Sequence, residues 1–217
     1  MNRKIISFFL GAAIVASGCI FTSCNDDDDD DDITKPDEQT EATTATAQGV
    51  LYFTDSMLGI YDITYAVDGD TVVVTEENSD TTSYDMGLGV YKVRKYVAPQ
   101  KAYKIFPATM KITAEAKVKA GKSLETAGTF DYFFVLDKVI TNDKGNAWGV
   151  YDNGYEANYL GEVNLAEPTD EVETEEEKAF RKEFIDDMSD VELTADINFS
   201  SASQAQVNYS NSLTSKK

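Results

Sequence analysis

The chain has 217 residues, with 39 acidic against 19 basic side chains, a net charge of −20 and no histidine. Ten acids lie between Asp26 and Glu41 and three cations precede Gln48, so the stretch from Gln48 onward still holds 29 acids against 16 cations, a net −13. A body this acidic repels phosphate backbones, which excludes nucleic acid as a partner, and the missing histidine excludes Ser-His-Asp and Cys-His catalysis and zinc-dependent hydrolysis.

The first residues have the layout of a signal peptide. Arg3 and Lys4 form a basic start, Ile5 to Val15 is almost wholly apolar, and Ala16, Ser17 and Gly18 are small. The apolar run falls short of the ~20 residues that span a bilayer, so residues 1–23 are predicted to be a cleaved leader. It ends at Phe21-Thr22-Ser23-Cys24, followed by Asn25 and the aspartates Asp26 to Asp32. A cysteine behind small residues at the end of an apolar run resembles a bacterial lipobox, which implies lipidation of Cys24. Cys19, behind Ala16-Ser17-Gly18, is the alternative. Cys24 is preferred because the polar chain begins directly after it. A lipidated cysteine followed by an acidic run resembles the surface-export signal of Bacteroidota lipoproteins, which implies an outer-membrane lipid anchor with the chain exposed at the cell surface. Residues 24–47 hold no apolar cluster and are expected to be a disordered acidic tether. Both cysteines lie in this region, so the rest of the chain has no thiol to pair.

Residues 48–217 are enough for one domain, and their apolar pattern is mostly of period two. Leu58 to Val67 and Thr71 to Thr75 flank Asp68-Gly69-Asp70, which predicts a β-hairpin. Met86 to Val97 reads as a further strand. Met110 to Lys119 alternates cleanly, with Met110, Ile112, Ala114, Ala116 and Val118 on one face, and predicts a strand with one wet side. Thr129 to Ile140 is bulkier and is expected to be central. Trp148 to Tyr151 follows a turn at Asn142 to Asn146. Val191 to Phe199 alternates again, and Ala205 to Tyr209 is placed to close a sheet.

One segment departs from this pattern. Thr174 and Glu177 have capping-box spacing, acids crowd the first turn, and Phe180, Phe184 and Met188 recur every four residues beside Ile185. A helix over 173–188 is expected, packed on the sheet by its Phe stripe. The fold class is therefore mostly β, an antiparallel β-sandwich with one amphipathic helix, the alternative being a small antiparallel, calycin-like barrel. Asp55-Ser56-Met57-Leu58 leading into Tyr61 to Tyr65, then Asp68-Gly69-Asp70 and Phe106-Pro107-Ala108, is similar to a group of small exported Bacteroidota β-proteins of unknown function. That likeness implies a sandwich and no particular activity.

The chemistry-bearing features are few. Carboxylates abound, but no spacing singles out the acid pair that glycoside hydrolysis needs, and the domain is read as non-catalytic. Asp68-Gly69-Asp70 and Asn142 to Asn146 carry oxygen ligands on tight turns without the twelve-residue calcium loop, and ordinary turn chemistry explains them. No metal and no cofactor is expected. Glu167 to Glu177 is an acidic run of the kind that solvates a loop before a helix. The aromatics are the remaining lead. Trp148, Tyr151, Tyr155 and Tyr159 lie among Gly145, Gly149, Gly154 and Gly161, which predicts a loop presenting rings for stacking on a sugar. The expected function is a surface-anchored binding protein for a glycan or other nutrient. The alternative is a structural or adhesive subunit that binds a protein partner through strand edges such as Ala205 to Tyr209.

Overall fold

The computed structural model describes residues 41–85, 87, 89–145, 155–168 and 172–213. Eleven strands and two helices succeed one another along the chain: β1 (Ala45–Phe53), α1 (Asp55–Ile60), β2 (Tyr61–Val67), β3 (Asp70–Val74), β4 (Asp80–Asp85), β5 (Val90–Val97), β6 (Lys101–Tyr103), β7 (Ala108–Val118), β8 (Phe130–Asn142), β9 (Glu156–Val163), α2 (Glu175–Met188), β10 (Asp190–Ser201) and β11 (Gln204–Asn211). They form two antiparallel sheets. One runs β4-β5-β1-β8-β9, with β6 also paired to β1, and the other runs β11-β10-β7-β2-β3. The domain is a β-sandwich, and neither sheet closes into a barrel.

The core lies between the sheets, and period-two alternation puts it there. Met110, Ile112, Ala114 and Ala116 of β7 are buried while Lys111 and Lys117 face water. Large and small side chains alternate across this sheet. Ala114 stands between Tyr65 of β2 and Leu193 of β10, and Ala116 between Ile63 and Val191. Leu51 and Phe53 of β1 and Tyr132, Phe134 and Leu136 of β8 fill the facing side. As expected from its bulk, β8 is an interior strand, paired with β1 from Phe134 to Asn142 and with β9 from Phe130 to Leu136.

The Asp68-Gly69 turn closes the β2–β3 hairpin, with φ of +52° and +91° at the two turn residues. Both central residues take positive φ in the type I′ turn that matches the twist of the strands. The Asp68 carboxylate accepts from the Lys111 N–H (2.7 Å) and pairs with the Lys101 ammonium (2.8 Å), so this turn is held by the protein itself.

Three sequence expectations need correction. The domain starts before Gln48: the compact unit begins at Ala42 and β1 at Ala45, so residues 42–47 belong to the sandwich and not to the 24–47 tether. These residues carry no large apolar side chain and so gave no hydrophobic signal. Backbone pairing with β6 and β8 holds them, and the Asp143 carboxylate accepts from the Thr43 N–H (3.0 Å) and hydroxyl (2.7 Å). Leu58 to Ile60, read as strand, belong to α1, where Met57 and Ile60 at helical spacing are the buried pair. The second helix runs Glu175–Met188 with the expected capping box at Thr174 and Glu177, but its stripe is only partly packed. Met188 is buried, Phe184 and Ile185 are half-buried, and Phe180 is 56% exposed. The helix is held as much by polar contacts, since Arg181 makes two 3.0 Å hydrogen bonds to Glu173.

Candidate functional site

A second, smaller apolar cluster lies on the face of the first sheet that points away from the core. Val93, Phe133 and Val135 are buried there, with Tyr52, Tyr84, Tyr91, Ala157 and Tyr159 packed around them. The strand ladder explains why an outer face can bury a phenylalanine. β1 pairs with β5 only from Val50↔Val97 to Phe53↔Arg94, then ends, so Val90 to Val93 pair with β4 alone. β4 and β9 are four ladder steps apart, roughly 19 Å in a flat sheet. Yet the rings of Tyr84 on β4 and Tyr155 at the start of β9 are 6.3 Å apart. The distal half of the β4–β5 hairpin therefore reaches past the end of β1 towards β8 and β9, and its rings cover Phe133.

The rings form a continuous network under and beside this hairpin. Tyr84 lies 4.5 Å from Tyr52 and 5.4 Å from Phe133, and Tyr91 lies 5.7 Å from Phe133 and 4.7 Å from Tyr159. Phe133 meets Tyr159 at 5.6 Å. The interplanar angles of these contacts run from 38° to 84°, so the rings pack edge to face and tilted and do not form one flat platform. The tyrosine rims stay partly accessible, Tyr155 most of all at 38%.

Burial and nearby carboxylates keep the tyrosine hydroxyls neutral. Burial first, then the neighbouring Tyr91 hydroxyl and the Asp131 carboxylate, push the Tyr159 hydroxyl up to about 12. Burial and the Asp137 carboxylate also raise the hydroxyls of Tyr52 and Tyr84. All three are therefore protonated donors at neutral pH. The Lys95 ammonium sits 5.8 Å above the Tyr52 ring and supplies the local cation.

Of the four residues predicted to bind ligand, Tyr155 and Tyr159 join this cluster. Trp148 and Tyr151 lie outside the described residues. The predicted glycine-rich loop is strand at its far end: Tyr159 sits in β9, and Gly161, at φ +70°, follows it where the register to β8 shifts. Sequence reasoning missed Tyr52, Tyr84 and Phe133. One signal for Phe133 was present, because Tyr132 to Leu136 is apolar at every position, and an uninterrupted run marks a strand covered on both faces. Other tyrosines of this sheet go elsewhere, Tyr96 of β5 into the main core and Tyr103 of β6 onto Phe199 at 5.0 Å.

Two other features carry less chemistry. A cleft of about 520 Å³ is lined by Ser56, Gly59, Lys122, Ser123, Thr126 and Phe130 among others, with no carboxylate pair for acid–base work. No group of three or more acidic or thiol side chains is placed to hold a metal among the described residues. At the opposite edge, Asn158 of β9 and Asn211 of β11 exchange amide hydrogen bonds (3.3 and 2.6 Å), and Asn211 also donates to Glu156 (3.0 Å). Comparison with protein-family models, curated proteins and solved structures finds no significant match to this chain.

Proposed function

We propose that this chain is an exported lipoprotein, cleaved before Cys24 and held by a lipid on that residue in the outer membrane, with its sandwich displayed at the cell surface. Its domain acts there as a non-catalytic binding module for a neutral ligand of the glycan class. The observation that supports this most is the tyrosine cluster of Tyr52, Tyr84, Tyr91, Tyr155 and Tyr159, set apart from the main core and carrying neutral hydroxyls. Rings with one apolar face and a polar tip suit a sugar, which offers C–H surface for stacking and hydroxyls for hydrogen bonds. The acidic body argues against anionic ligands, and an uncharged ligand predicts binding insensitive to salt. The test is retention of the protein on immobilised neutral polysaccharides. Tyr155→Ala should abolish retention without loss of fold. Equal retention of the variant would remove the cluster from the binding site.

One observation favours the second reading, a structural or adhesive subunit working through a strand edge. β3 is an edge strand with Val72 and Val73 exposed, and no charge stands between Asp70 and Glu76. Such an edge lacks the lysines, prolines and bulges that normally block strand addition. Val73→Lys would weaken an edge-mediated assembly and leave glycan retention unchanged.

A further inference from the structure

We infer that the distal half of the β4–β5 hairpin, residues 82–85 and 90–93, is a hinged flap. Its opening uncovers Phe133 and Val135 and admits a pyranose-type ring between the tyrosine rims. This rests on the glycan reading for the ligand, though not for the motion.

Because β1 ends at Phe53, no ladder bond among the described residues joins Val90 to Val93 to the rest of the sheet. Among the described residues, the distal half touches the body through the rings of Tyr84 and Tyr91 and through Val93. A two-stranded hairpin is marginal on its own in water, so these contacts decide whether it stays closed.

The hinge is well defined. Arg94, the next residue after Val93, pairs with Phe53 in the ladder and with the Asp55 carboxylate at 2.8 Å. The chain is thus anchored on one side of the Val93–Arg94 bond and, among the described residues, held to the body by side chains on the other. A segment bound in this way opens as a local unit well below the cost of global unfolding. What opening exposes is amphipathic: the apolar Phe133 and Val135 at the floor, tyrosine hydroxyls on both walls, and Asp137 at the rim. That combination fits the two faces of a sugar ring and offers a fully charged ligand little.

Amide hydrogen exchange on the intact protein tests this, first without ligand and then with neutral hexasaccharides of glucose, mannose and xylose. The amides of residues 82–85 and 90–93 should exchange together, about 100-fold or more faster than those of the β1–β8 and β7–β10 ladders. Tyr84→Ala should speed them further and leave β7–β10 unchanged. A hexasaccharide that binds should slow the hairpin selectively. Exchange of the hairpin at the β1–β8 rate would overturn the flap, and binding that leaves hairpin exchange unaltered would overturn its role in ligand entry. Fast hairpin exchange with no hexasaccharide bound would retain the flap and overturn the glycan reading instead.

Discussion

Gly49 of β1 faces the Tyr65 hydroxyl of β2 across the sandwich so closely that a β-carbon at Gly49 would overlap it. The glycine is there for space, because the largest side chain of β2 ends against the backbone of β1. Adding one methyl must move either a buried ring or an interior strand, and overpacking of this kind costs about 1–3 kcal/mol. Gly49→Ala is expected at the upper end of that range, read as a lower urea midpoint at unchanged slope. An unchanged midpoint would show that the two sheets can shift apart.

The Tyr65 hydroxyl itself finds no hydrogen-bond partner among the described residues, and the same holds for Tyr61 and Tyr132. A buried hydroxyl without a partner gains nothing from being polar. Tyr65→Phe should therefore be neutral or stabilise the domain by about 1 kcal/mol. A loss larger than that would mean that the hydroxyl is satisfied in solution.

Stability should fall at both ends of the pH scale for opposite reasons. Burial raises the hydroxyls of Tyr103 and Tyr159 to about 12, above their ordinary value near 10. Their contribution is complete below pH 10 and is lost as pH rises from 10 through 12. Hydrogen bonds from Thr43 and Thr44 lower the Asp143 carboxyl, and those from Thr174 lower that of Glu177. Those contributions are present above the usual carboxylate range and lost as pH falls below it. The urea midpoint measured against pH should decline above pH 10, and Tyr159→Phe should flatten part of that decline. A midpoint rising between pH 10 and 12 would contradict the assignment.

What the sequence made legible was local. The β7 strand, the Asp68-Gly69 turn and the Thr174–Glu177 capping box each rest on a rule that needs only neighbouring residues, and each lies where its rule puts it. The start of β1 at Ala45 was hidden because small side chains held by backbone pairing leave no apolar pattern. The tyrosine cluster was hidden for a different reason. Tyr84 and Tyr155 are seventy-one positions apart in number, and the early end of β1 lets the hairpin reach across to join them. No periodicity reports where a neighbouring strand stops.

The amide pair between Asn158 and Asn211 ties the edge strand of one sheet to that of the other. Removing the Asn211 side chain strands that of Asn158 in a buried site, at about 1–3 kcal/mol. Asn211→Ala should cost that much, and adding Asn158→Ala should cost little more. Equal and additive losses would show that the two side chains act separately, leaving β11 freer to detach.

The anchor is tested by metabolic labelling with a fatty acid. Cys24→Ala should leave the protein unlabelled and released to the soluble fraction, while Cys19→Ala should stay labelled. Label persisting on the Cys24→Ala protein would move the lipid to Cys19.

The claim that the outer-face tyrosines bind a neutral ligand is tested most directly by NMR. Chemical-shift changes would be mapped as neutral oligosaccharides are titrated into the domain at low and high salt. The account predicts changes confined to Tyr52, Tyr84, Tyr91, Phe133, Tyr155, Tyr159 and their strand neighbours, with an affinity that salt leaves unchanged. Changes centred on Val72 and Val73 of β3, or a response only to charged ligands that vanishes with salt, would contradict it.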